Sequence, residues 1–91
     1  MGIKVRLPRD LQEAGGTAEV EEVAAANLVE CLEKLEQRHP KLKGMIIDSS
    51  GKIWLGWLVS KNRRLVNIAS AEDCRLAEGD EITLIRTVAG G

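Results

Sequence analysis

The residues with the clearest chemical use are Gly90 and Gly91, the last two of the sequence. Glycine has no β-carbon, so this pair can thread a narrow channel and bring a terminal carboxylate into another protein's active site. A carboxylate is a resonance-stabilised anion that nucleophiles avoid. Adenylation with ATP and magnesium is the simplest activation, because sulfur or an amine can then displace AMP. We therefore expect residues 87–91 to form a flexible tail whose reactive group is the carboxylate of Gly91.

Other residue types that carry out catalysis are few. The sequence has one histidine, His39, and two distant cysteines, Cys31 and Cys74, so neither a nucleophile–base pair nor a zinc site is indicated. Gly51-Lys52 lacks the earlier glycine and the following Ser or Thr of a phosphate-binding loop. We expect no catalytic residue, no metal ligand and no bound cofactor in the chain, which would act as a co-substrate of other proteins.

Two tryptophans stand near a group of basic residues. Trp54 and Trp57 precede Lys61, Arg63 and Arg64, and aromatic residues beside basic ones can bind single-stranded nucleic acid. The formal net charge of −1 argues against that function. We expect instead that one tryptophan fills the core and that the other is partly exposed, at a protein contact.

Charge is unevenly distributed along the chain. Residues 10–36 hold eight acidic residues against Lys34 alone, whereas residues 37–64 hold seven basic residues against Asp48. This distribution predicts an acidic side and a basic side. Both are consistent with solvated surface, and both are consistent with electrostatic docking of a protein partner.

Composition limits the class of protein. With 91 residues, 44% of them hydrophobic and 2% aromatic, the chain can form one domain with a small aliphatic core. Such a domain has little room for a deep cleft, which favours a binding module, a carrier or a subunit over an enzyme. No apolar run approaches the roughly 20 residues of a membrane span, and no signal peptide is recognisable. Two cysteines expected to be free thiols add to the prediction of a cytoplasmic protein.

Alternating apolar residues predict a first strand over Ile3–Leu7. Gly15-Gly16 then predicts a loop. A second strand is expected over Thr17–Val23, with Ala18 and Val20 on one face. The two strands together are typical of a hairpin.

The period then changes to that of a helix. The apolar residues at helical spacing are Leu28, Cys31, Leu32 and Leu35. Asn27 is a suitable N-cap, and His39-Pro40 ends the helix because the residue before a proline avoids helical geometry. The single strong helix is therefore predicted over Asn27–Arg38, with His39 complementing its dipole.

Shorter strands are predicted in the second half. They cover Ile53–Val59 and Leu65–Ile68 on either side of a turn at Lys61-Asn62, and Glu81–Arg86 after a turn at Glu78-Gly79-Asp80. Glu81–Arg86 is apolar on both faces, so we expect it in the middle of the sheet, parallel to the first strand. One main helix on a mixed sheet of four to five strands is an α+β roll. This order of elements is that of the β-grasp, or ubiquitin-like, fold, to which we assign residues 1–86.

The end of the sequence resembles a known family. Leu76–Ile82, with its Gly-Asp turn, and then Val88–Gly91 resemble the close of MoaD/ThiS-type sulfur-carrier proteins. The order of elements matches over Ile3–Gly91. Arg86-Thr87 stands where many MoaD-like chains have a proline pair, and Lys61-Asn62 stands where Asn-Gly is common. The length is similar to that of MoaD-like and cysteine-forming carriers.

The resemblance implies a mechanism that depends on partners. An adenylating enzyme related to ubiquitin-activating enzymes would use ATP and magnesium to form an acyl-adenylate on Gly91, which sulfur converts to a thiocarboxylate. Val88, Ala89 and Gly90 would thread into that partner. The thiocarboxylate would donate sulfur to an acceptor enzyme, such as a molybdopterin synthase large subunit or a cysteine-forming synthase. No nucleic-acid or membrane partner is implied by this role.

Two alternatives stay open at this stage. The activated carboxylate of Gly91 could form an isopeptide bond with a lysine of another protein, which would make the chain a ubiquitin-like modifier. The chain could also be the small subunit of molybdopterin synthase, a carrier that works inside a complex.

Overall fold

A mixed sheet forms one layer of the molecule, and within residues 2–87 its central strand is the last one in sequence. The computed structural model describes residues 2–87. In this range the strands are β1 Ile3–Arg6, β2 Val20–Val23, β3 Trp57–Lys61, β4 Arg64–Leu65 and β5 Glu81–Arg86. Their order in the sheet is β2-β1-β5-β3-β4. β5 pairs parallel with β1 and antiparallel with β3, which confirms the predicted central position.

Helical segments connect these strands. Within residues 2–87 they are α1 Arg9–Gly15, α2 Leu28–Arg38 and two 3₁₀ segments, Pro40–Leu42 and Ile68–Asp73. None of the helices in this range is long and apolar enough to cross a membrane.

The core lies between α2 and the inner face of the sheet. The buried residues of α2 are the four predicted ones, Leu28, Cys31, Leu32 and Leu35. The strands contribute Ile3, Val5, Val23, Trp57, Val59, Ile82 and Leu84 to the same cluster. Each fully buried aliphatic side chain contributes about 1.5–3 kcal/mol, so this one interface supplies much of the stability. The predicted fold, an α+β roll of the β-grasp type with one main helix, is confirmed.

The segment between β1 and β2 differs from the prediction of a loop at Gly15-Gly16. It contains α1, whose first turn carries Asp10, an acid that favours a helix N-terminus. Gly16 ends the helix in the left-handed region, at φ 67°, and its N–H donates to the carbonyl of Gln12. Leu11 is the buried residue of this short helix, so the sequence shows no apolar period there.

The second strand is also shorter than predicted. It begins at Val20 instead of Thr17, and Val20 is exposed. Val23 is the buried residue, because the antiparallel register places it opposite Ile3. The pairing with β1 therefore decides which face of β2 is buried, and this differs from the face that Ala18 and Val20 indicate.

The predicted strand over Ile53–Val59 is divided in two. Ile53 forms an isolated bridge with Ile47, and β3 begins only at Trp57. The hairpin after β3 turns at Asn62 and Arg63, which have φ values of 51° and 72°. Positive φ at both central residues suits the twist of a two-residue hairpin, and asparagine tolerates it well.

The start of α2 depends on a side-chain cap. Asn27 Oδ1 accepts a hydrogen bond of 2.9 Å from the N–H of Glu30, and Glu30 Oε1 accepts one of 2.8 Å from the N–H of Ala26. This is close to a reciprocal capping box, which satisfies amide groups that the helix itself leaves without partners.

We expect Asn27→Ala to lower the free energy of unfolding by about 1 kcal/mol, since the N–H of Glu30 loses its acceptor. Asn27→Asp is the matched control because it keeps an acceptor oxygen in place, and its stability should stay near that of the wild type. Urea denaturation followed by circular dichroism measures both. Equal stability of the alanine variant and the wild type would contradict the capping role.

Candidate functional site

The chain leaves the sheet through a set of contacts that we call the tail root: Asp10, Gly56, Trp57, Arg86 and Thr87. β5 pairs with β3 up to Arg86 opposite Trp57. One position further, the N–H and the hydroxyl of Thr87 both donate to the carbonyl of Gly56, each at 2.9 Å. The last described residue is therefore held against the turn that precedes β3.

The residues predicted to react or to thread into a partner lie beyond this point. Val88, Ala89, Gly90 and Gly91 are outside the described residues, so their predicted roles stay predictions. Thr87, the first residue of the predicted tail, is hydrogen-bonded to Gly56.

Arg86 connects three elements at the tail root. Its Nε donates to the carboxylate of Asp10 in α1, and its guanidinium lies 4.5 Å from the ring centroid of Trp57 in β3. The ion pair is about half exposed, so it contributes no more than about 1 kcal/mol, and the cation–π contact adds a similar amount. The sequence alone does not indicate this cluster, because the segment that carries Asp10 buries one leucine and shows no helical period.

The two tryptophans are placed as predicted, one buried and one partly exposed. Trp57 is 3% exposed and Trp54 is 48% exposed. Trp57 Nε1 donates to the carbonyl of Met45, and Trp54 Nε1 donates to the carbonyl of Gly44. The two indoles thereby join the start of β3 and the residues just before it to the segment after α2.

The turn before β5 explains the Gly-Asp motif. Gly79 has a φ of 88°, a conformation that suits glycine. The carboxylate of Asp80 accepts hydrogen bonds from the N–H of Ala77 at 2.8 Å and from Asn62 Nδ2 at 3.0 Å. Asn62 Oδ1 in turn accepts from the N–H of Glu81 at 2.9 Å. These bonds fix the start of β5 against the β3–β4 hairpin.

The outer face of the sheet, opposite α2, is apolar near one end and charged near the other. Near the tail root, Leu58 and Ile85 lie side by side on β3 and β5 and are 42% and 41% exposed. At the other end, Arg6 pairs with Glu19 at 2.8 Å and with Glu81 at 3.2 Å. The apolar part of this face therefore adjoins the point where the tail leaves the sheet.

The remaining reactive side chains have structural surroundings. His39 Nε2 lies 3.1 Å from Glu21 Oε1 and joins the end of α2 to β2. Burial raises the pKa of Glu21, but an N–H from Ala18 and the neighbouring His39 outweigh it, so the pKa is lowered. Burial raises the pKa of Cys31 to about 12. Residues 2–87 contain no cluster of three or more His, Cys, Asp or Glu suited to a metal ion.

The fold is that of a small ubiquitin-like protein. The model of the ThiS family matches residues 5–91, so the chain belongs to the ThiS family. This confirms the resemblance to MoaD/ThiS-type proteins. The comparison with curated proteins found no significant match.

Solved structures show the same fold over nearly the whole chain. A chain in the Amycolatopsis orientalis BexX/CysO complex has a TM-score of 0.84 at 24% identity, over 99% of this chain and 100% of that one. SAMP1 from Haloferax volcanii has a TM-score of 0.80 at 25% identity, over 98% of each chain. CysO from Mycobacterium tuberculosis has a TM-score of 0.82 at 20% identity, over 96% of this chain and 100% of that one.

Asp80→Asn should lower the melting temperature near neutral pH. The N–H of Ala77, first, and then the Asn62 amide hold the pKa of Asp80 below its usual range, which is near 3.9. A lowered pKa in the folded state means that the carboxylate stabilises the fold above the unfolded pKa, and that this contribution is lost as the pH falls through the folded pKa.

The difference in melting temperature between wild type and Asp80→Asn should therefore be largest above about pH 5 and should shrink steadily below pH ~3.9. Thermal melts across this range measure it. Glu78→Gln, which removes a charge two residues away in the same turn, serves as the control. If the difference in melting temperature is the same at neutral and acidic pH, the charge of Asp80 does not stabilise the turn.

Proposed function

We propose that this chain is a sulfur carrier whose Gly91 carboxylate is adenylated by a partner enzyme and converted to a thiocarboxylate. The main support is the extent of the family match, which runs from residue 5 through the glycine pair to residue 91. The tail is thus part of what the chain shares with the ThiS family, together with the fold.

The chemistry takes place in two steps at the carboxyl group of Gly91, the first at one of its oxygens and the second at its carbon. A carboxylate oxygen of Gly91 attacks the α-phosphorus of ATP, and pyrophosphate leaves with the electrons of the broken P–O bond. A sulfide equivalent supplied by a sulfur donor then attacks the carbonyl carbon, and AMP leaves. The product is the thiocarboxylate, and magnesium held by the partner stabilises the phosphate charge.

The chain itself contributes position and access. Hydrogen bonds to Gly56 hold Thr87 at the end of the sheet, and Gly91 is the fourth residue after Thr87. An extended chain covers at most about 3.6 Å per residue, so Gly91 can lie no more than about 14 Å from Thr87. Gly90 and Gly91 have no side chains, which suits a narrow active-site channel.

The partners of this reaction follow from its chemistry. One is an adenylating enzyme of the ubiquitin-activating type, which supplies the ATP and magnesium site. The other is an acceptor enzyme, such as a cysteine-forming synthase or a molybdopterin synthase large subunit, which takes sulfur from the thiocarboxylate. In this role the chain is a co-substrate and not a catalyst.

Mass spectrometry tests the first product directly. After incubation with the adenylating enzyme of the same organism, ATP and a sulfide donor, the chain should become heavier by the difference between one sulfur and one oxygen atom. Fragmentation should place the change at Gly91. An enzyme that is active on another carrier, yet yields neither this species nor an acyl-adenylate here, would refute the proposal.

Removal of Gly90 and Gly91 should abolish transfer and leave the fold intact, because both residues lie beyond the last described contact of the sheet. Circular dichroism and thermal melting measure the fold, and the mass shift measures transfer. A variant that adds one alanine after Gly91 is the matched control for tail sequence, and it should also fail, since the reactive carboxyl group is displaced. Transfer retained by the truncated chain would exclude the tail mechanism.

A second candidate function is conjugation to other proteins. Similar structures include SAMP1 of Haloferax volcanii, whose full name is small archaeal modifier protein 1. The same acyl-adenylate would then be passed to a lysine amine, and an isopeptide bond would form at Gly91. Adducts on cell proteins that require Gly91 and resist reducing agents would support this function. Their absence would leave sulfur transfer as the one remaining candidate function.

A further inference from the structure

The turn between the Ile47–Ile53 bridge and β3 exposes an apolar side chain to an unusual degree. Leu55 is 85% exposed, the highest value among the large hydrophobic residues of the described chain. Its neighbour Trp54 is 48% exposed. We call residues Trp54, Leu55 and Gly56 the apolar turn.

Hydrogen bonds on both sides hold the apolar turn in place. Trp54 donates its backbone N–H to Ile46 at 2.9 Å and its indole N–H to Gly44 at 2.7 Å. The N–H of Trp57 closes the turn on the carbonyl of Trp54 at 3.1 Å. The backbone is therefore fixed with Leu55 pointing away from the core, so its exposure follows from a well-defined conformation.

Leu55 also lines one wall of a groove of about 490 Å³. The other apolar side chains that line it are Val29, Ile53, Ile68, Ala69 and Ala71. The groove runs between residues 51–55 and the 3₁₀ segment Ile68–Asp73, and Val29 of α2 lines it on the helical side of the sheet. It is therefore separate from the outer-face pair Leu58 and Ile85.

The apolar turn adjoins the tail root directly. Gly56, its last residue, accepts both hydrogen bonds of Thr87. Because Gly91 lies within about 14 Å of Thr87, an enzyme that encloses the carboxyl group of Gly91 must also reach the surface around Thr87. Exposed leucine is common on proteins, but this one has a fixed position beside a groove and lies on the surface that such an enzyme must approach.

We propose that the apolar turn and the groove beside it form a docking surface for the adenylating enzyme that receives the tail. The inference rests on the proposed function, from which it takes the identity of the occupant. Leu55 and an apolar side chain of the enzyme that enters the groove exclude water together, and this contact aligns the tail with the channel. Docking thus extends to the helical side of the tail root.

The chain offers a matched pair of variants for the test. Leu55→Ser and Leu65→Ser each remove one exposed leucine, and Leu65 is 69% exposed on β4. Leu65 pairs with Ser60, which is four residues after Gly56 in the chain. At the spacing of a strand, four residues place Leu65 roughly 13 Å further from the tail root than Gly56. Neither substitution affects the core, so both variants should have the melting temperature of the wild type.

Binding to the purified adenylating enzyme of the same organism is measured by isothermal titration calorimetry without ATP. Leu55→Ser should raise Kd about tenfold, the size expected for losing the burial of one leucine, whereas Leu65→Ser should change it less than about twofold. A photo-crosslinking residue at position 55 should also form an adduct with the enzyme, and one at position 65 should not.

ATP–pyrophosphate exchange, run in parallel, separates this inference from the proposed function. With Leu55→Ser, KM should rise and kcat should stay near the wild-type value, because the residue does not touch the reacting atoms. Equal Kd values for the two variants, or no binding of the wild type, overturn the docking surface. If the wild type binds the enzyme and Leu55→Ser weakens this binding, but the wild type shows no ATP–pyrophosphate exchange, the docking surface is supported and the proposed adenylation is overturned.

Discussion

The register of β5 determines where residue 87 leaves the sheet. Ile82 and Leu84 are buried against α2, and a slip of one residue would place Thr83 and Ile85 there instead. β1 on one side and β3 on the other hold the strand in this register. The burial of two side chains in the middle of the sheet thus sets the position of Thr87, at the end of the same strand.

The sequence predicts best the elements that have a strong period of their own. The four buried residues of α2 follow helical spacing, and β5 is apolar on both faces, so both elements are recognisable without tertiary information. α1 buries one leucine and β2 buries one valine, which is too little for a pattern. In β2 the antiparallel pairing with β1 decides the buried face, and pairing is not visible in a single segment.

In the candidate site, too, the local motifs can be predicted from the sequence and the contacts between distant residues cannot. The Gly-Asp turn and the glycine pair are local motifs, so the sequence alone indicates them. The contacts that give the turn its role join distant residues, as Asp80 joins Asn62 and Arg86 joins Asp10 across 76 positions. Such pairs require the sheet order to be known first. Arg86 and Thr87 also show how a chain without a proline pair at this point can still fix the root of its tail, by an ion pair and two hydrogen bonds.

Cys31 gives the molecule a form of chemical selectivity. Burial in the core raises the pKa of the Cys31 thiol to about 12, so the thiol stays protonated at neutral pH. A thiolate is the form that attacks acyl-adenylates and exchanges with persulfides, so this side chain does not compete for activated sulfur. A protein proposed to carry sulfur on Gly91 can therefore contain a cysteine in its core without a side reaction between that cysteine and the activated carboxyl group.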